Sequence, residues 1–177
     1  MTMSQQEQSV LDSEAIVRII RQEWLVDGVL QQSAFTLKPQ ETYLSVNRPA
    51  VDTFATDVQS FVSSHAGFQF DNGKKYQCAS MQVSDVRSIK VFDESDQPLA
   101  VEVEVEPRDV HTKSHAGIFV RFSGQNVKSG QSLLVDSVSE AVSADIVLQD
   151  IRWELLALST LEEHEIDKSN VNPDGNI

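Results

Sequence analysis

His111 and His115 stand four residues apart in the run Asp109-Val-His-Thr-Lys-Ser-His-Ala-Gly117. On a helix that spacing puts two imidazoles on one face, the arrangement of zinc sites with a nearby glutamate. Here the span joins two strand-like runs, Lys113 between the rings opposes a cation, and no further carboxylate or cysteine stands at a ligand spacing. No metal and no cofactor are therefore expected. Imidazole titrates near neutral pH and guanidinium can hold an anion. His111 or His115 with Arg48, Arg121 or Glu106 is thus the set from which an acid–base site for a small anionic or nucleotide-like substrate would be assembled, provided the side chains converge on one cleft. Arg48 also ends Ser45-Val-Asn-Arg48 just before a helical pattern, where free amides attract anions. The simpler role there is capping and turning by Asn47 or Arg48.

Other residues point to surfaces rather than catalysis. Glu102, Glu104 and Glu106 alternate with valines in Leu99-Ala-Val-Glu-Val-Glu-Val-Glu106, so they line the wet face of a strand and are candidates to meet a basic partner. Trp24 and Trp153 lie beside apolar neighbours, which favours the core, and Trp24 becomes a candidate partner contact if it is exposed. Cys78 in an apolar-leaning run reads as an inert core thiol. His65 suits a helix C-terminus, and His164 is expected on the surface.

The elements that carry these residues follow from periodicity. Leu99, Val101, Val103 and Val105 should face a core, and Ala116-Gly-Ile-Phe-Val-Arg-Phe122 and Tyr43-Leu-Ser-Val-Asn47 read as further strands. Ser88 to Phe92 pairs with Leu99 to Glu106 as a hairpin. Asp71-Asn-Gly73 turns another between Gly67–Phe70 and Lys74–Ala79, because Asn-Gly tolerates positive φ. Leu133 to Asp136 is a short strand, and Ala34 to Leu37 a short extended piece. From Pro49, the residues Ala50, Phe54, Val58, Phe61 and Val62 recur at helical spacing over 49–64. Val147, Ile151, Leu155 and Leu158 predict an amphipathic helix near 145–160, about four turns long. Residues 14–21 suit helix or strand equally. The class is α+β, a largely antiparallel sheet packed by the two helices.

The chain has 177 residues and a net charge of −13, with one cysteine. That size fits one globular domain, placed at 11–162 between a loosely ordered start, 1–10, and an acidic tail, 163–177. The charge repels phosphate backbones and anionic lipid, which argues against nucleic acid and membrane as partners. A lone cysteine precludes an internal disulfide, and the polar Met-Thr-Met-Ser-Gln-Gln-Glu-Gln start lacks the apolar run of a signal peptide, so a cytoplasmic location is expected.

The segments Arg21-Gln-Glu-Trp-Leu-Val-Asp-Gly28, Tyr43-Leu-Ser-Val-Asn-Arg48 and Val110-His-Thr-Lys-Ser-His-Ala-Gly-Ile-Phe119 together resemble a group of bacterial proteins of unknown function. The likeness implies a bacterial cytoplasmic protein and assigns no residue a role. The sequence therefore points to a small acidic module that binds another protein without catalysis. Its rivals are an enzyme built on His111, His115 and Arg48, and a structural subunit of a larger assembly; the oligomeric state is open.

Overall fold

The computed structural model describes residues 9–38, 40–105, 112–122 and 151–167. Nine strands run in chain order: β1 (Ala15–Ile19), β2 (Leu25–Val26), β3 (Val29–Leu30), β4 (Leu44–Asn47), β5 (Lys75–Gln82), β6 (Val91–Phe92), β7 (Pro98–Val105), β8 (His115–Phe122) and β9 (Thr160–Glu165). Helices α1 (Phe54–Ser64), α2 (Val83–Arg87) and α3 (Arg152–Leu158) lie between them, with 3-10 turns at Gln22–Trp24, Gln32–Phe35 and Ala66–Phe68. Seven strands form one sheet in the order β6–β7–β8–β4–β1–β5–β9, and β2–β3 is a separate hairpin. Every pairing is antiparallel. The α+β class follows directly from this arrangement.

The alternation in β7 works as its sequence dictates: Leu99, Val101 and Val103 are buried, and Val105 packs at the margin of the same core. That face continues through Leu44 and Val46 of β4, Ala116, Ile118 and Val120 of β8, and Ile16 and Ile20 flanking Arg18 on β1. Phe35, Val83, Val86, Ile151 and Leu155 cover it from the 3-10 turn and the short helices. A second cluster occupies the opposite face, where Val58 and Val62 of α1 pack on Val17, Ile19, Tyr76, Cys78 and Ile166. β1 lies in the middle of the sheet with both faces covered, so its apolar residues need not alternate. The stretch 14–21, open between helix and strand in the sequence, is a strand over Ala15–Ile19.

Several boundaries differ from the sequence reading. The helix at 49–64 starts at Phe54, with turns before it that bury Val51. Ala34 and Phe35 belong to a 3-10 turn rather than an extended piece, and Gly67–Phe70 contributes only the bridge Phe70↔Lys75 to its hairpin. The turn itself is as expected, with φ of 48° at Asp71, 54° at Asn72 and 77° at Gly73. The C-terminal helix spans Arg152–Leu158; residues 145–150 and the strand expected at Leu133–Asp136 lie outside the described residues. Residues placed in the tail, Glu163 to Glu165, are strand, and Ile166 beyond them is buried. At the other end Val10 is buried too, so ordered structure begins before residue 11.

Candidate functional site

Arg48 is not available to a ligand. Its guanidinium is buried and donates to both carboxylate oxygens of Glu14, Nε to Oε2 at 2.9 Å and Nη2 to Oε1 at 2.8 Å, and to the Ser9 carbonyl at 2.9 Å. Burial pushes the Glu14 carboxyl up, but the Arg48 hydrogen bonds, the Leu11 amide and the charges of Arg48 and Arg87 outweigh it, leaving the group below its ordinary value. A bidentate guanidinium–carboxylate pair leaves few donors for an anion. The expected use of Arg48 as an anion holder, at a catalytic site or at the helix start, is corrected accordingly: it is an internal strut. His111 and Glu106 lie outside the described residues.

His115, half-buried, lies on the sheet face that carries the α1 cluster, its Nε2 2.6 Å from the Ser45 hydroxyl. α1 sets its position: Asp57 accepts from the Ser114 amide at 3.0 Å and the Thr53 hydroxyl at 2.9 Å, while the Asn47 amide donates to the Ser114 hydroxyl at 3.1 Å. A hydroxyl bonded to an imidazole is the contact a nucleophile–base pair requires, but acyl transfer also needs donors for the developing oxyanion. The Arg48 amide bonds the Ser114 carbonyl at 2.8 Å, so the even-numbered residues of β4 carry its ladder with β8. Ser45 therefore points its main-chain groups toward β1, where its carbonyl accepts from Arg18 at 2.7 Å, and Gly117 points toward β7. Neither strand turns a main-chain amide toward the hydroxyl, because strand amides lie in the plane of the sheet. Beside this pair Tyr43 lies across Gly117, where a Cβ would come within 2.5 Å of its ring, and stacks with Phe119 at 4.9 Å. These ring contacts pack closely over Gly117 beside the Ser45–His115 pair.

The remaining candidates separate. Trp24 is half-buried, beneath the Arg18 guanidinium at 4.9 Å and edge-on to Phe68 at 6.2 Å. The exposed indole is Trp153, 60% accessible, which corrects its assignment to the core. On β7, Glu102 faces Arg87 at 3.3 Å, a guanidinium it shares with Asp12, and Glu104 is paired with Arg121. Cys78 is fully buried, and burial together with the Glu162 charge pushes its thiol up to about 12. Among the described residues no three His, Cys, Asp or Glu side chains gather to hold a metal ion, and no helix is long and apolar enough to cross a membrane.

The two margins of the sheet are built differently, and sequence reasoning did not find this. On its outer side β7 borders, among the described residues, the two-residue strand β6, through Val91↔Leu99 and Phe92↔Pro98. Beyond that point its outward Val103 carbonyl accepts from Arg87 at 2.8 Å, and the same guanidinium reaches the Val10 carbonyl at 3.0 Å and Asp12 at 2.6 Å. α2 thus covers this one outward carbonyl with a side chain. At the other margin the Ile166 amide bonds the Lys74 carbonyl at 2.7 Å, and the register pairs Tyr76 with His164 and Cys78 with Glu162. Alternation of the antiparallel ladder then directs the peptide groups of Thr160, Glu162 and His164 to β5, and those of Leu161, Glu163 and Glu165 outward. Of these outward groups the Glu165 carbonyl accepts from the Gln59 amide at 3.2 Å, and no residue among those described bonds the main chain of Leu161 or Glu163. All six residues of β9 are exposed. The segment escaped sequence reading because Leu161 and Ile166 fall on opposite faces, with only polar residues between them. No family model, curated protein or solved structure matches the chain.

Proposed function

We propose that the protein is a binding module that accepts an extended segment of a partner protein along the outer edge of β9. The observation that carries this reading is that Leu161 and Glu163, on a strand exposed along its whole length, have no main-chain partner among the described residues, whereas on the β7 side Arg87 takes the outward Val103 carbonyl. An unpaired edge supplies main-chain hydrogen bonds to an added strand, and side chains on alternate positions supply selectivity. This moves the partner surface from the Glu102–Glu104 strand, whose carboxylates each have an arginine beside them, to the opposite end of the sheet. The enzymatic reading through His111, His115 and Arg48 loses its anion holder in the buried Arg48–Glu14 pair. The buried thiol of Cys78 and the acidic surface fit a reducing, cytoplasmic setting.

The test is a titration of the full chain with a short peptide of alternating apolar and polar residues, followed by amide chemical shifts. Shifts concentrated at Leu161 and Glu163, lost in Glu163→Pro, are expected. Proline removes an outward N–H without touching the β5–β9 ladder, a substitution that edge strands tolerate. Shifts elsewhere, or unaltered binding by Glu163→Pro, would sink the reading.

A further inference from the structure

The side chains flanking the open edge narrow its partner. Leu161, Glu163 and Glu165 stand on the face shared with Ala79, Gln77 and Lys75, and Thr160, Glu162 and His164 on the face shared with Ser80, Cys78 and Tyr76. The apolar contribution is a single residue at one end, Leu161, 37% accessible. Carboxylates occupy both faces after it. Cations nearby are few: Lys75 holds Glu163 at 2.7 Å, and the His164 ring stacks on Tyr76 at 5.1 Å with Nε2 3.4 Å from Glu162. Glu165 has no ion-pair partner among the described residues.

We infer that the β9 edge takes a cationic strand, with an apolar residue beside Leu161 and Lys or Arg beside Glu162, Glu163 and Glu165. This rests on the strand-accepting role proposed above. Two copies of β9 laid side by side would set carboxylate against carboxylate, and like charges across a strand pair are destabilising. The same charges that reject a second copy attract a basic segment. Its length is bounded, because Gln59 of α1 closes the far end, donating to the Glu165 carbonyl at 3.2 Å and accepting from the Asp167 amide at 3.1 Å. At the near end Ser159 is drawn back into α3, its hydroxyl donating to the Leu156 carbonyl at 2.8 Å. Between these stops the edge matches an extended segment of about four to six residues at roughly 3.4 Å each.

The experiment compares three fluorescent peptides that share one apolar alternation and carry Lys, Ser or Glu at the polar positions, titrated into the full chain and into a Glu162→Gln/Glu165→Gln variant. The lysine peptide is expected to bind about tenfold tighter than the serine peptide, the yield of a few exposed ion pairs, and the glutamate peptide more weakly than either. The preference should shrink in the double variant and in ~1 M salt, where charges are screened within about 3 Å. Binding of all three peptides with equal affinity would overturn the charge selection while leaving strand acceptance standing. Failure of all three to bind would remove both.

Discussion

Individual side chains in this protein are recruited mainly to satisfy the main chain and each other. Arg48 and Glu14 are the extreme case, a buried, doubly hydrogen-bonded ion pair that fixes the segment before β1 to the end of β4. Removing one member strands the other charge in the interior, which costs about 3–5 kcal/mol. Arg48→Ala should therefore lower the free energy of urea unfolding by that order, and a loss of less than about 1 kcal/mol would contradict the burial. The pH dependence has a definite sign. The folded carboxyl of Glu14 lies below its ordinary 4.5, so its contribution is present above that pH and is lost as the pH falls through the lowered folded value. Glu14→Gln should flatten the acid limb of the stability profile measured by the same unfolding assay. None of this could be read from residue types alone. An arginine before a helix looks the same in sequence whether it faces water or a glutamate 34 positions away. His115 was equally ambiguous, since its neighbour Ser45 comes from a strand 70 residues distant in sequence.

Among the elements, the strands were the most readable. β7 announces itself through valine alternation and β8 through Ala116, Ile118 and Val120, each matching its buried face, and Asp71-Asn-Gly73 marks its turn by the residues that tolerate positive φ. β1 was ambiguous because a strand covered on both sides loses its period of two. β9 was invisible because it buries none of its own residues and is held by main-chain bonds to β5 and by Ile166. α2 was missed for a related reason, since five residues are too few for a helical period to show. Its importance lies in Arg87, which ties the β7 margin to Val10 and Asp12. Arg87→Ala should destabilise the fold by about 1–3 kcal/mol, because the outward Val103 carbonyl and the Val10 carbonyl both lose a donor. Arg87→Lys should recover only part of that loss, since one ammonium cannot reproduce the fork. Full recovery in a thermal unfolding measurement would show that charge alone, not the bridging geometry, holds that margin.

At the scale of the molecule, the sheet carries a core on each face, and its two ends differ. At one, the arginine of a short helix takes an outward carbonyl; at the other, the central residues of β9 have no main-chain partner among the described residues. Charge follows the same division, because Glu102 and Glu104 of β7 each have an arginine beside them while the acids of β9 outnumber their cations among the described residues. The sequence conveyed the acidity and the α+β class but not where the acidity is unbalanced, which depends on the strand order. Backbone amide exchange, residue by residue in the free protein, measures the open edge directly. Glu162 and His164, bonded to β5, should be protected, while Leu161 and Glu163 between them exchange at close to the rate of an unstructured chain. Equal protection across all four would mean that something already occupies that edge, and the proposed binding site would not exist.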